Sequence, residues 1–412
     1  MAPPHPNLRL THRLWRALPA GPRRRALSSA TALMAPRPDR VPPPAATGLA
    51  VAGELTRPSG LGESARLMLS ALTAMGVPNV ALDLGDPVAR TRKRDRLILP
   101  PPAMPLVMHV NAPLLPLALL RVPRRLVAGR RVIGYWAWEL PTMPAAWKVG
   151  LAFVHEIWVL SQFTARAVSS MLPPGSAITV RTVPPPVAIA PPVPSGLVRA
   201  DFGLPAKAVI TLVSFSLASS FARKNPLAAI ASHRAAFGNR PDRILLMKVT
   251  HAELFPHDYD ALVQAARGLG NVRFEIRTLE PADRHALTAC ADIVLSLHRS
   301  EGLGLVPAEA MLLGIPVVAT NWSATTEFMD AGSARLVGFR LVPAIDPRGV
   351  FQAPGAVWAD ADIDEAVSHL RELAADPDLR RSLGNAGRAM VMQRLGDTQL
   401  RAAVHALGLG PT

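Results

Sequence analysis

At 412 residues with 49% hydrophobic side chains, the chain can build two domains with sizeable cores. Its one cysteine, Cys290, rules out a disulfide framework and fits a reducing compartment, and no run of about 18 clean apolar residues offers a membrane span. The formal charge of +15 admits anionic membranes or phosphorylated substrates as partners; with two tyrosines and no nucleic-acid motif, nucleic acid ranks last.

In chain order, residues 1–46 hold eight arginines and one aspartate and read as a disordered, Pro/Arg-rich basic tail. Within it Leu10, Leu14 and Leu18 share a helical face, with Arg9, Arg13 and Arg16 on another, a short amphipathic candidate for a membrane surface. No continuous apolar core follows the arginines as a secretory signal requires, and Met34 is an alternative start. From Thr47 strand-like and helix-like runs alternate: strands at TGLAVAGEL, Val80–Leu84, Leu106–Val110, Val132–Trp138, Ile157–Leu160 and Ile178–Val183. The proline-rich 184–196 reads as a linker. A second set follows at Val209–Phe215, Ile244–Val249, Val272–Ile276, Ile293–Leu297 and Val317–Thr320. Repeated βα units imply parallel sheets covered by helices. The expected fold is therefore α/β: a domain over 47–190, a second over 197–385, and charged helices over 386–412.

Residues 295–330 carry the most chemistry. A strand-like run ends at the polar tip His298-Arg299-Ser300; then come Glu301, Gly302 and Gly304 flanking Leu303, a helix-like run from Leu305 around Pro307, and a second carboxylate, Glu309. Glycines let the backbone approach a ligand, and a helix N-terminus presents unpaired N–H groups to an anion. Such a cradle between two hydroxyl-binding carboxylates suits a nucleotide-sugar. Arg223 and Lys224, before an Asn225-Pro226 helix start, are suited to a diphosphate. Lys248, at the end of the next strand, either adds charge there or only snorkels. The loop Gly60-Leu61-Gly62-Glu63-Ser64 opens a helix in the first domain. His109 closes a strand, either as a packing or capping residue or as a catalytic one. Trp136 and Trp138, followed by Glu139, are either core or a platform for a sugar, whose apolar face suits an indole and whose hydroxyls need an acceptor. No aspartate pair or His/Cys cluster suggests a metal site.

The Glu301-to-Glu309 spacing, with SEGLGL, AEAM and PVVATN around it, resembles the signature of retaining GT-B glycosyltransferases of family 4, the glycosyl transferases group 1, bacterial polysaccharide type. FARKNPLAAI resembles the same family's donor-phosphate region. The resemblance covers about residues 47–395. It implies two Rossmann-like domains facing a cleft, a C-terminal helix (Asp397 to Leu407) crossing back to the first domain, and transfer of a hexose from a nucleotide diphosphate sugar to a saccharide or lipid-linked acceptor. It further implies a catalytic role for Glu301, donor contacts from Arg223, Lys224, Gly302, Leu303, Gly304, Leu305, Glu309 and Gly62, and an acceptor contact from Glu139. The residues themselves add His109 as a catalytic candidate, Lys248 as a donor contact, and Trp136 and Trp138 as acceptor contacts. No metal or cofactor is implied, and the setting would be cytoplasmic or the inner membrane face. Leu303 stands where relatives usually have Phe, Ala324 where Gly is common and Ser216 where Asp is frequent, which leaves the donor open. A nucleotide-sugar epimerase of similar fold and a non-catalytic basic scaffold are the competing readings.

Overall fold

The structure is a computed structural model that describes residues 28–46, 48–87, 98–351 and 353–409. The 10–18 amphipathic segment lies outside these. The first set of apolar runs forms β1 (Leu49–Gly53), β2 (Asn79–Asp83), β3 (Leu106–His109), β4 (Val132–Trp136), β5 (Glu156–Val159) and β6 (Thr179–Thr182). They pair in parallel in the order β2-β1-β3-β4-β5-β6. The second set forms β7 (Val209–Ser216), β8 (Arg243–Thr250), β9 (Val272–Glu275), β10 (Ile293–Ser296), β11 (Val317–Thr320) and β12 (Arg335–Val337), in the order β12-β11-β10-β7-β8-β9. Every residue of β1, β3, β4, β5 and β11 is buried, as strands covered by helices on both faces require.

Both sheets reverse their strand order once, between β1 and β3 and between β7 and β10. In open parallel sheets ligands bind outside the carboxyl ends of the strands at that reversal. Gly53 and His109 are paired in register at the first reversal. The loops leaving β7 and β10 deliver Arg223, Lys224 and Glu301 to the second, and the two reversals face one another across a cleft.

Three boundaries differ from the sequence reading. Residues 28–46 pack on the first domain instead of trailing from it: 28–34 are helical, Ala35 is in the core, Asp39 accepts from Gly129 N at 2.8 Å, and its carbonyl bonds His155 Nε2 at 2.7 Å. The helix Pro377–Arg394 passes residue 385 without a break; contact with the first domain begins where Leu395 O accepts from Ala188 N at 3.1 Å. The helix Thr398–Ala406 then buries Leu400, Ala403 and Val404 in a cluster that includes Leu49, Leu72 and Val187. Finally, an antiparallel hairpin, β13 (Phe339–Pro343) with β14 (Val357–Ala361), joins neither large sheet. Its alternation is interrupted by charges and prolines, so no strand was legible there.

Candidate active site

The second-domain half of the site is assembled by two turns. After β7, Ser220 caps the one-turn helix Phe221–Lys224, its Oγ accepting from Arg223 N at 3.2 Å. Asn225 then takes a left-handed conformation (φ 52°) and donates from Nδ2 to Leu297 O at 3.0 Å, tying this turn to the end of β10. No side chain caps the Pro226–Phe237 helix: Asn225 leaves the extended N-cap conformation, and its amide is turned toward the Leu297 carbonyl. From β10 the chain passes fully buried His298, which is held by Ser296, the Trp322 carbonyl and Thr325. Glu301 N donates to Ser323 Oγ at 2.8 Å.

These turns bring Glu301, Arg223 and Lys224 together with the side chains nearly buried. Lys224 Nζ bonds the Glu301 carboxylate, and Arg223 Nη1 lies 3.1 Å from its other oxygen while donating to Ser300 O at 2.8 Å. Burial raises the Glu301 pKa, but Lys224 and Arg223 outweigh it and hold the carboxyl at about 2. Burial lowers the Lys224 ammonium, with Glu301 pulling the other way. Glu139 approaches from the first domain, 3.7 Å from Arg223 Nη2, and its carbonyl accepts from Ser300 Oγ. Burial raises its pKa; Arg223 opposes this and Glu301 adds to it.

The Leu305–Leu312 helix starts at Gly304, whose φ of 101° is unfavourable for any side chain and whose Cβ would fall 2.6 Å from Thr325 Cγ2. A Cβ on Gly302 would fall 2.9 Å from Trp138 O, so this glycine lets the two domains touch. The first turn of the helix opens into the cleft along with Leu303. Glu309, one helical face further, is raised to about 7 by burial, against the pull of Arg284, whose Nη2 is 3.7 Å away, and with a push from Glu63. Lys248 lines the same space and donates to Arg277 O at 2.7 Å. His109 faces it from the first domain, stacked on Tyr135 at 4.1 Å with both ring nitrogens buried. Burial, only partly opposed by the Leu61 backbone, lowers its pKa to about 3, so the imidazole is neutral. All these groups surround one cavity of about 650 Å³.

Three expected contacts are not there. Trp136 is fully buried, its ring 6.0 Å from Trp147, and Trp138 is 3% exposed between Trp147 and Phe351 with its Nε1 donating to Thr142 O. Neither indole presents a face to the cavity: alternation along β4 and its extension puts both into the core. Gly62 also lies off the cavity; Gly60 and Leu61 line it instead. A Cβ on Gly62 would fall 2.4 Å from Glu54 O, so its glycine serves loop packing. Glu63 and Arg66, from the glycine loop and the helix it opens, line the cavity, and so do Arg284 and Asn111, which no motif marks. Arg284 sits in an ordinary amphipathic helix, and only its distance to Glu309 distinguishes it. Among the described residues no three His, Cys, Asp or Glu side chains gather as a metal cluster, and no helix is long and apolar enough to cross a membrane.

Residues 246–360 match the family model described as Glycosyl transferases group 1. No curated protein matches the chain by sequence. Among solved structures, the chain is similar to Anabaena HepE in complex with UDP and glucose (14% identity, TM-score 0.57, 88% of this chain and 100% of that one). It is similar to sucrose-phosphate synthase of Thermosynechococcus elongatus (16%, 0.61, 88% and 98%). It is also similar to WaaG, a glycosyltransferase involved in lipopolysaccharide biosynthesis (16%, 0.53, 87% and 99%). The two sheets, their helices and this likeness establish the GT-B fold.

Proposed function

We propose that the protein is a retaining glycosyltransferase that moves a hexose from a nucleotide diphosphate sugar to a saccharide or lipid-linked saccharide, in surface polysaccharide synthesis. The observation that carries this reading is the buried Glu301–Lys224–Arg223 group, set beside a helix N-terminus and facing Glu139 and His109 across one cavity. The group-1 match over 246–360, which spans Glu301, Glu309 and the helix start between them but begins after Arg223 and Lys224, supports it, as do the UDP and glucose of HepE and the lipopolysaccharide role of WaaG.

In this reading the donor diphosphate lies against Lys224, Arg223 and the first turn of Leu305–Leu312, where preformed positive charge favours the leaving group. Lys248 adds to that charge. Glu309 accepts from the ribose hydroxyls. Glu301 holds the sugar hydroxyls and offsets the positive charge that develops at the anomeric carbon. Neutral His109 contacts the sugar from the opposite wall. Glu139 accepts from the acceptor hydroxyl. The bond from the anomeric carbon to phosphate oxygen breaks, the acceptor oxygen bonds on the same face, and its proton passes to the leaving phosphate oxygen. Each charge needed is supplied by side chains and helix, so the reaction is metal-independent. The protein works in the cytoplasm, with the basic tail on the inner membrane face.

The test is incubation with UDP- and GDP-hexoses and candidate acceptors, reading nucleotide diphosphate release. Release that requires acceptor, persists in EDTA and gives a product of unchanged anomeric configuration is expected. Acceptor-independent turnover, or inverted product, overturns the reading.

A further inference from the structure

The connection between β13 and β14, residues 344–356, is rooted in the second domain and inserted into the first. Its root is Asp346, buried at 1% exposure, whose carboxylate accepts from Val350 N at 2.7 Å, Phe351 N at 3.2 Å and Ser220 Oγ at 3.4 Å. Ser220 is the residue that caps the turn carrying Arg223 and Lys224. Arg348 adds bonds to the Leu217 carbonyl and to Asp258, with its guanidinium 3.9 Å from the Phe255 ring centre. The inserted part is Phe351, 3% exposed, which belongs to the first domain's core cluster with Leu140, Trp147 and Phe153. Its ring lies 5.4 Å from Trp138, and the Arg223 guanidinium lies over it at 5.3 Å.

One aromatic ring thus touches both the residue that precedes Glu139 and the cation that faces Glu139 and Glu301. Around it the seam holds two polar contacts, Ser300 Oγ on the Glu139 carbonyl and Arg223 at 3.7 Å from the Glu139 carboxylate, and apolar ones from Ala356 and Trp358 of the same hairpin. Polar contacts of that kind exchange readily with water, whereas withdrawing a phenyl ring from a packed core costs its whole buried surface. We propose that Phe351 is a positioning residue, holding Glu139 of the first domain at a set distance from Arg223 and Glu301 of the second. It keeps the acceptor-facing and donor-facing halves of the site in register at this end of the cleft. The catalytic consequence rests on the glycosyltransferase reading; the mechanical one does not.

Hydrogen exchange of the full-length protein tests the mechanical part. In Phe351→Ala, amides of 138–140 and 300–302 should exchange faster while those of β1 and β8 keep their wild-type rates. Phe351→Leu, which retains apolar bulk, should restore protection. In the same variants UDP binding should stay at the wild-type level, while kcat for transfer falls roughly 10²-fold in Phe351→Ala, the scale expected when reacting groups lose alignment. Unchanged exchange at both segments, exchange raised equally over the whole molecule, or UDP affinity lost in proportion to kcat each overturns the proposal. Wild-type protein that transfers no sugar would sink the functional reading, and the exchange pattern would still decide the role of Phe351.

Discussion

On the second-domain wall of the cleft, opposite charges hold one another: Glu301 against Lys224 and Arg223, and Glu309 loosely against Arg284. On the first-domain wall the framework around His109 and Glu139 is aromatic, with Trp136, Trp138, Trp147 and Tyr135 packed behind them. Apart from Arg284, which tertiary packing brings to Glu309, the charged wall is built from the turns after the neighbouring strands β7 and β10 and the helix that follows. The aromatic wall depends on packing between β4, the segment after it and a hairpin of the other domain. This difference separates two kinds of residue: those whose chemistry acts on a ligand and those whose bulk places them.

The largest expected effect is at Glu301. Its carboxylate is held at about 2 by two cations, and in the proposed reaction it stands where charge develops during transfer. Glu301→Gln should lower kcat by roughly 10²-fold or more while UDP binding stays equal or tightens, since Lys224 and Arg223 lose their internal counter-ion. Steady-state kinetics beside calorimetry with UDP alone checks this. A variant with full kcat would mean that the charged wall is only structural.

Glu309 should show a different pattern, because the proposed reaction places it on the ribose, away from bond breaking. Glu309→Gln should raise donor KM about 10- to 150-fold with kcat nearly kept, the value of a hydrogen bond to a charged group. Its folded pKa of about 7 lies above the ordinary carboxyl value. The folded protein therefore binds more protons than the unfolded chain between about pH 4.5 and 7, and stability falls as pH rises through that window. Glu309→Gln should thus melt higher than wild type at pH 8, by on the order of 2 kcal/mol, and match it at pH 4. The acid limb near pH 7 in kcat/KM for the donor should vanish with it. A melting curve that does not depend on pH in either protein would contradict the strained state of this carboxylate.

The same contrast explains what could be read from the chain. Glu301, Glu309, Arg223 and Lys224 were legible because a strand end, a turn and a helix start set their positions within a few residues. The two sheets were legible because buried parallel strands are continuous apolar runs separated by helical spacing. Trp136 and Trp138 were misread since an indole at a strand end looks the same from sequence whether it faces core or cleft. Phe351 and Arg284 carry no local mark at all; tertiary contacts alone bring Phe351 to Arg223 and Arg284 to Glu309. Residues 28–46 share the tail's composition, and their packing is visible only through Ala35 and the Asp39 bonds.

The aromatic wall can be sharpened by splitting its active face from its bulk. Glu139→Gln should raise acceptor KM by about tenfold without lowering the melting temperature, because it removes a charge-assisted hydrogen bond and no packing. Trp136→Ala should do the reverse, costing about 3–5 kcal/mol of stability through the cavity left behind. Protein that survives at low temperature should keep its acceptor KM. If Trp136→Ala instead changes acceptor KM at unchanged stability, the indole reaches the ligand and the wall is not divided in this way.

The smallest effect on turnover is expected from the tail. Residues 28–46 are anchored to the first domain, so the segment to remove is 1–27, which carries six arginines and no acidic residue. Removal should leave the kinetics with a soluble acceptor unchanged, because the described residues from 54 to 309 supply the charged groups assigned to the reaction. Binding to vesicles containing anionic lipid should weaken, since each basic group near such a surface contributes about 1 kcal/mol, and the loss should shrink as salt is raised. Cosedimentation of the full-length and shortened proteins at two salt concentrations decides it. Equal vesicle binding by both would transfer the membrane role to the folded domains or remove it. Lost turnover on the soluble acceptor would show that the site extends beyond the two walls compared here.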